Sequence, residues 1–266
     1  MPLRTCTHPW EFAVTPFRIA GSLYYVGNKF VSSHLIDAGE TLILIDTGFP
    51  QTTYLLLDSI RRLGFDPAKV GHIFHCHGHY DHFGGTRAIV ELTGATTYLG
   101  ADDVEILESR PELSGAPQCG MEFYEVFEVN VPLRGGEVIT VGNTAIECVS
   151  IPGHTAGSIA YFFSIEERGR SHTVGIHGGT GLNTLTGEYL AAHNLPETRR
   201  ADYLASLQKL RQRSPDITLG AHPFTNDTFG KRDAMTDQKN PFIDPHAWPA
   251  LIKRLEKSFN TQLSPM

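Results

Sequence analysis

Apolar positions along this chain follow two rhythms that alternate over most of its length. Residues 23–26, 31–36 and 41–45 are short apolar and aromatic runs bounded by turn residues, the pattern of neighbouring β-strands. Residues 52–63 then place Leu56, Ile60 and Leu63 at helical spacing, with Thr52 or Thr53 as cap and Gly64 as stop. A strand over 72–75, helices over 86–93 and 101–109 and a strand over 96–99 follow. Residues 111–117, rich in Pro, Gly and Ser, read as a loop beside a cleft. The second half repeats this logic, with strands over 138–141, 144–150, 158–165, 174–177 and 217–219 and helices over 198–212 and 247–260. Strands and helices mix throughout, with no fixed-period repeat and no linker, so the expectation is a single α/β domain over residues 1–266.

Composition narrows the function classes. An apolar fraction of 41% in 266 residues supports a real core. No run approaches the roughly 18–20 apolar residues that span a bilayer, and residues 1–20 lack the charged-then-apolar pattern of an export signal. The expectation is a cytoplasmic protein with no membrane partner, or a periplasmic or secreted one whose signal has been removed. With 22 basic and 29 acidic residues the formal charge is −7, which repels polyphosphate and counts against nucleic acid as a partner. Cys6, Cys76, Cys119 and Cys148 lack paired spacing and read as free thiols. Cys76 adjoins a histidine run but points away from it in an extended chain, as a small buried hydrophobe does.

That run is the densest chemical signal in the sequence: His77-Gly78-His79-Tyr80-Asp81-His82. Imidazole and carboxylate suit zinc, and three of them leave a coordination position for water. If the run is extended, His77, His79 and Asp81 project to one side and His82 to the other. One ion cannot use all four, so two ions are expected, with His77 and His79 on the first and Asp81 and His82 on the second. A solvated histidine tract is the competing reading. Asp81 and the following Gly84-Gly85 fit a loop entering a helix better.

Most of the thirteen histidines need no metal; His8, His34, His72, His172 and His246 lack a motif. His154 and His222 differ, because each ends a predicted strand and is bracketed by Gly or Pro that turn the chain. His154 completes three histidines for the first ion, and His222 completes Asp, His, His for the second. His75, His177 and His193 rank below these as donors behind the ligands or as substrate contacts. Asp46, closing the apolar run 42–45, either holds a ligand histidine by its second nitrogen or makes an ordinary turn.

His-x-His-x-Asp-His at 77–82, Pro-Gly-His-Thr at 152–155 and His222 resemble the metallo-β-lactamase superfamily over nearly the whole chain. The resemblance implies a four-layer αβ/βα sandwich, two mixed sheets flanked by helices, with two Zn2+ ions along one edge. Most members carry Gly-Asp after the strand at 174–177, the acid bridging both metals; here the segment is Gly178-Gly179-Thr180. Class B β-lactamases lack that acid. Residues 16–21, 23–27, 219–223 and 240–245 resemble their third subclass, and no cysteine replaces the second-metal ligand. The implied activity is opening of the β-lactam ring of penicillins, cephalosporins or carbapenems by a zinc-bound hydroxide. Asp81 would orient the hydroxide, and Asn183, with Thr180, would hold the substrate carboxylate, ordinary turn chemistry being the alternative for these two. Another lactone, ester or amide hydrolase of the superfamily, and an iron-binding redox protein, are the rival readings.

Overall fold

The computed structural model describes residues 3–121 and 125–263. Seven strands pair in chain order into one sheet: β1 (Phe17–Ala20), β2 (Leu23–Tyr25), β3 (His34–Asp37), β4 (Leu42–Ile45), β5 (Val70–Phe74), β6 (Thr96–Gly100) and β7 (Val131–Leu133). Neighbours from β1 to β4 are antiparallel, and β4 to β7 run parallel. The second sheet comprises β8 (Val138–Val141), β9 (Thr144–Ser150), β10 (Ile159–Glu167), β11 (Arg170–His177) and β12 (Ile217–Gly220), in the order β12-β11-β10-β9-β8. All its pairs are antiparallel except β11 with β12.

β4 shows why a run with no polar face becomes a strand here. Ile43 and Ile45 enter the core between the sheets, while Leu42 and Leu44 meet the helices outside. A parallel strand covered on both faces needs such a sequence. The inter-sheet core joins Leu23, Ile36 and Phe74 of the first sheet to Ile146, Tyr161 and Ile176 of the second. Helices Thr53–Arg62 and Thr86–Thr93 cover the first sheet through Leu56, Ile60 and Ile89. Helices Thr198–Leu210 and Ala247–Leu263 cover the second through Tyr203, Leu207 and Trp248. The result is the expected four-layer αβ/βα sandwich. Among the described residues no helix is long and apolar enough to cross a membrane.

Several elements depart from the sequence expectations for local reasons. β3 starts at His34 rather than 31, because Asn28 Oδ1 accepts the N–H groups of Phe30 and Val31 and turns the chain before pairing begins. Thr52 does not cap its helix; its hydroxyl donates to the Phe49 carbonyl, while Gly64, at φ 88°, does end the segment. Residues 101–109 divide into a 3-10 turn, Ala101–Asp103, and a short helix, Val104–Glu108. β11 starts four residues early, since Arg168 and Gly169, both at positive φ, form the tight turn of a β10–β11 hairpin. β1, β7 and the helices Gly187–Ala192 and Thr228–Asp233 were not anticipated.

Candidate metal centre

The site lies along one edge of the sandwich, where four strands end in loops. β5 leads into residues 75–82, the β9–β10 connection carries His154, β11 leads into residues 178–185, and β12 leads into His222. The histidine run is not extended throughout. His79 still has extended backbone, but Tyr80–Phe83 form one helical turn. Alternation therefore stops at His79, and the turn, not a flip to the opposite side, sends both Asp81 and His82 toward the second donor set.

Two groups of three donors result among the described residues. The ligand-type atoms of His77, His79 and His154 all lie within 4.8 Å of one another, as do those of Asp81, His82 and His222. Backbone and carboxylate acceptors fix which nitrogen of each ring faces inward. His77 Nδ1 donates to the Gly178 carbonyl at 2.6 Å, His154 Nδ1 to that of Gly181 at 2.9 Å, and His222 Nδ1 to that of Phe30 at 2.8 Å. His82 Nδ1 donates to Asp46 Oδ2 at 2.8 Å. Each Nε2 is thereby left with its lone pair free for a ligand role. His79 is inverted: its Nδ1 faces His77 Nε2 at 3.0 Å.

Burial sets the charge state of the first set. It pushes His77 and His154 well below the usual imidazole range, helped by the other histidines, and brings His79 down to about 4. Three neutral imidazoles with converging lone pairs suit a cation rather than one another. In the second set burial raises the Asp81 carboxyl, but His82, His222 and His79 outweigh it and leave the group below its ordinary value. Burial likewise lowers His82, and Asp81 and Asp46 overturn that and leave it raised. His82 Nε2 is buried with no hydrogen-bond partner among the described residues, with Asp81 Oδ2 3.4 Å away and that same oxygen 3.7 Å from His222 Nε2. An orphaned buried nitrogen beside a carboxylate and a third imidazole is the arrangement a divalent ion would satisfy, so these residues fit a two-metal centre.

Five of the six donors, all but the fully buried His82, line a cavity of about 420 Å³, together with Thr180 and Asn183. Leu3, Phe30, Phe49 and Phe224 give it apolar walls, and Phe224 stacks on His222 at 4.9 Å. Asp81 is the only carboxylate, and no Lys or Arg is present, among the described residues lining it. Gly179 sits against His154: a Cβ there would lie 3.0 Å from the His154 Cβ and from Ser158 Oγ. Cys119 also lines the cavity, but burial pushes its thiol up to about 12, so it offers no thiolate.

The secondary candidates separate clearly. Asp46 does both things anticipated for it, holding His82 by one oxygen and accepting the Cys76 N–H at 2.7 Å with the other. Cys76 is fully buried in the inter-sheet core. His75 donates to the Tyr98 carbonyl and meets Thr86 Oγ1, whose partner Thr47 binds the His82 carbonyl, so it braces the loop from behind. His177 faces Trp248 and does not line the cavity, and His193 reaches it only through Tyr189, on which it stacks at 4.1 Å. Sequence reasoning missed Asp103, a fully buried carboxylate bonded to both loops of the first set. An acid pair directly after the β6 run was the available signal.

The sequence pattern described as the metallo-beta-lactamase superfamily matches residues 26–222. Among curated relatives, a hydroxyacylglutathione hydrolase of Methylococcus capsulatus is 28% identical over 95 residues, covering 36% of this chain and 30% of the relative. The chain thus spans less than half the length of the hydroxyacylglutathione hydrolases it matches. Solved structures agree over far more of the chain. BJP-1, a subclass B3 metallo-beta-lactamase of Bradyrhizobium japonicum, superposes at TM-score 0.86 with 28% identity, covering 97% of each chain. The FEZ-1 metallo-beta-lactamase of Legionella gormanii superposes at 0.87 with 29% identity, covering 95% of this chain and 96% of that one. The chain therefore belongs to the metallo-beta-lactamase superfamily, with subclass B3 enzymes among its structural neighbours.

Proposed function

We propose that this chain is a zinc-dependent hydrolase that opens the β-lactam ring of penicillins, cephalosporins or carbapenems. The observation that carries the reading is the pair of donor sets, three imidazoles beside two imidazoles and a carboxylate, at a cavity where Gly179 stands in place of the bridging acid. Likeness to subclass B3 enzymes over nearly the full chain supports it. Nitrogen and oxygen donors in threes suit zinc with room for water. Bound there, two zinc ions supply Lewis acidity at the carbonyl and lower the pKa of water toward neutrality.

The chain's own residues do the rest. Asp81 accepts a hydrogen bond from the attacking water or hydroxide and orients it. The water oxygen bonds to the lactam carbonyl carbon, the C–N bond breaks, and the ring nitrogen receives a proton, so that one water is added overall. Asn183 and Thr180 hold the substrate carboxylate with neutral donors at the cavity rim. The apolar walls strip water from the lactam and strengthen these polar contacts.

A second reading, hydrolysis of a thioester, lactone or other ester, is favoured by the hydroxyacylglutathione hydrolases among the relatives. Turnover of penicillin, cephalosporin and carbapenem substrates, and of a hydroxyacylglutathione thioester and a lactone, with and without chelator, separates the two. Chelator-sensitive β-lactam turnover supports the first. No β-lactam turnover beside chelator-sensitive thioester or lactone turnover replaces it with the second. Elemental analysis tests zinc, and bound iron in its place points to redox chemistry.

A further inference from the structure

Asp103 belongs to neither donor set and does not line the cavity, yet it is wholly buried where the two loops of the first set meet. One oxygen, Oδ2, accepts the Gly78 N–H at 2.8 Å and the Thr155 hydroxyl at 2.6 Å. The other, Oδ1, accepts the Gly157 N–H at 2.7 Å. Gly78 lies between His77 and His79, and Thr155 follows His154. A single carboxylate thus bonds the segment carrying two first-set histidines to the segment carrying the third.

The close approach is built into the backbone. A Cβ on Gly157 would come within 2.6 Å of the Asp103 backbone nitrogen and 2.7 Å of its Cγ. On Gly78 it would meet Asp103 Cβ at 3.1 Å and Ile106 Cδ1 at 2.9 Å. Ser158 reinforces the clamp, its hydroxyl 2.8 Å from Thr155 Oγ1 and accepting the Thr155 N–H at 3.1 Å. All three partners of Asp103 are donors, so an acceptor-only carboxylate satisfies every one. An amide of the same size cannot, because its NH2 must face a buried donor on one side or the other.

We infer that Asp103 is the positioning residue of the first metal set, holding His77 and His79 at the distance from His154 that one ion requires. The inference rests on the two-metal reading. The side-chain hydrogen bonds of Asp103 run to Gly78, Thr155 and Gly157 and none to Asp81, His82 or His222, so its effect falls on the first set. Loss of a group that orients ligands typically weakens metal binding by about 10–100-fold.

The test is zinc affinity of the purified full chain, by competition with a chromophoric chelator, in two backgrounds that each disable one set. In a His222→Ala background Asp103→Asn should weaken the remaining tight site by roughly 10–100-fold. In a His154→Ala background the same change should leave the remaining affinity within about threefold, below the range of a lost orienting contact. Equal weakening in both backgrounds, or no change in either, overturns the clamp. If Asp103→Asn does not fold, Thr155 decides. Thr155→Val removes one donor without changing volume, and Thr155→Ser restores it. Weaker first-set binding in the valine variant with recovery in the serine variant supports the clamp, and identical behaviour of the two overturns it. A wild-type chain that takes up two ions while Asp103→Asn binds them equally well refutes the clamp alone; a wild-type chain that binds none removes the metal reading and the clamp together.

Discussion

Replacing Asp46 by asparagine isolates the second donor set with little change of shape. Asp46 is buried at the end of β4, at φ 61°, a conformation that Asp and Asn tolerate better than other side chains with a Cβ. Asparagine therefore keeps the backbone, where alanine would add strain. The wild-type carboxylate accepts from His82 Nδ1 and from the Cys76 N–H. An amide can serve one of these. If its oxygen stays on Cys76, its NH2 confronts His82 Nδ1–H, and relief requires the imidazole proton to move to Nε2. That places a hydrogen where the lone pair faces Asp81 and His222. A hydrogen bond to a charged group contributes about 1.5–3 kcal/mol, and roughly 1.4 kcal/mol is a factor of ten. Zinc affinity of the second set should then fall by about 10–100-fold, with the first set nearly unchanged. Equilibrium dialysis with elemental analysis, over a series of chelator-buffered zinc activities, should resolve one of two binding steps moving to higher zinc. Two steps at their wild-type positions, in a variant with wild-type circular dichroism, would refute the idea that Asp46 sets the tautomer of His82.

His154→Ala should lower the metal content from two ions toward one and abolish turnover, and retained activity at full metal content would remove His154 from the site. Gly179→Asp places a side chain 3.0 Å from His154 Cβ, and overpacking of this kind costs about 1–3 kcal/mol. If that strain falls on the His154 ring, kcat/KM for the chain's hydrolytic substrate should drop by roughly 5–150-fold, and unchanged kinetics would show that the position is open. His34, His75 and His177 are held by burial at about 4, below the ordinary 6.5. The folded chain keeps them neutral while the unfolded chain protonates them, so stability is complete above pH 6.5 and declines as the pH falls toward 4. Each contributes a loss of about 1.4 kcal/mol per pH unit across that window. Urea melts of the metal-free chain should weaken sharply between pH 7 and pH 5, with the slope reduced in His34→Gln; melts that coincide at the two pH values would contradict this.

How much the sequence disclosed follows from how local each signal is. The run at 42–45 reads as a covered strand because its own four residues carry the pattern, and residues 86–93 read as a helix because apolar spacing and Gly94 agree. β1 and β7 stay hidden: at four and three residues, with partly exposed side chains, they gain strand geometry only from their neighbours. The first half of β11 is polar and mostly exposed, so its membership follows from a hairpin turn rather than from hydrophobicity. At the site, ligand types in dense spacing are visible, but the helical turn at Tyr80–Phe83 is not, since His-Tyr-Asp-His has no marked conformational preference. Asp103 is invisible for a different reason. Its role depends on Gly78, Thr155 and Gly157 converging from two loops that only the folded sandwich brings together.

The two sheets meet at the site, and each supplies part of it. His77, His79, Asp81 and His82 follow a strand of the first sheet, whereas His154 and His222 hang from the second. Beside the inter-sheet core, hydrogen bonds fasten this seam, among them Tyr161 hydroxyl to the His75 carbonyl at 2.5 Å and Ile159 N–H to that of Cys76 at 2.9 Å. Each bound ion would act as a reversible cross-link between the halves, coordinating ligands from both. Metal supply would then bear on how often the seam opens locally as well as on the chemistry. Free-ligand excess of 100 times Kd stabilises by about 2.7 kcal/mol per site, and amide exchange along the seam should slow accordingly while the outer helices, remote from the joint, keep their own local opening rates.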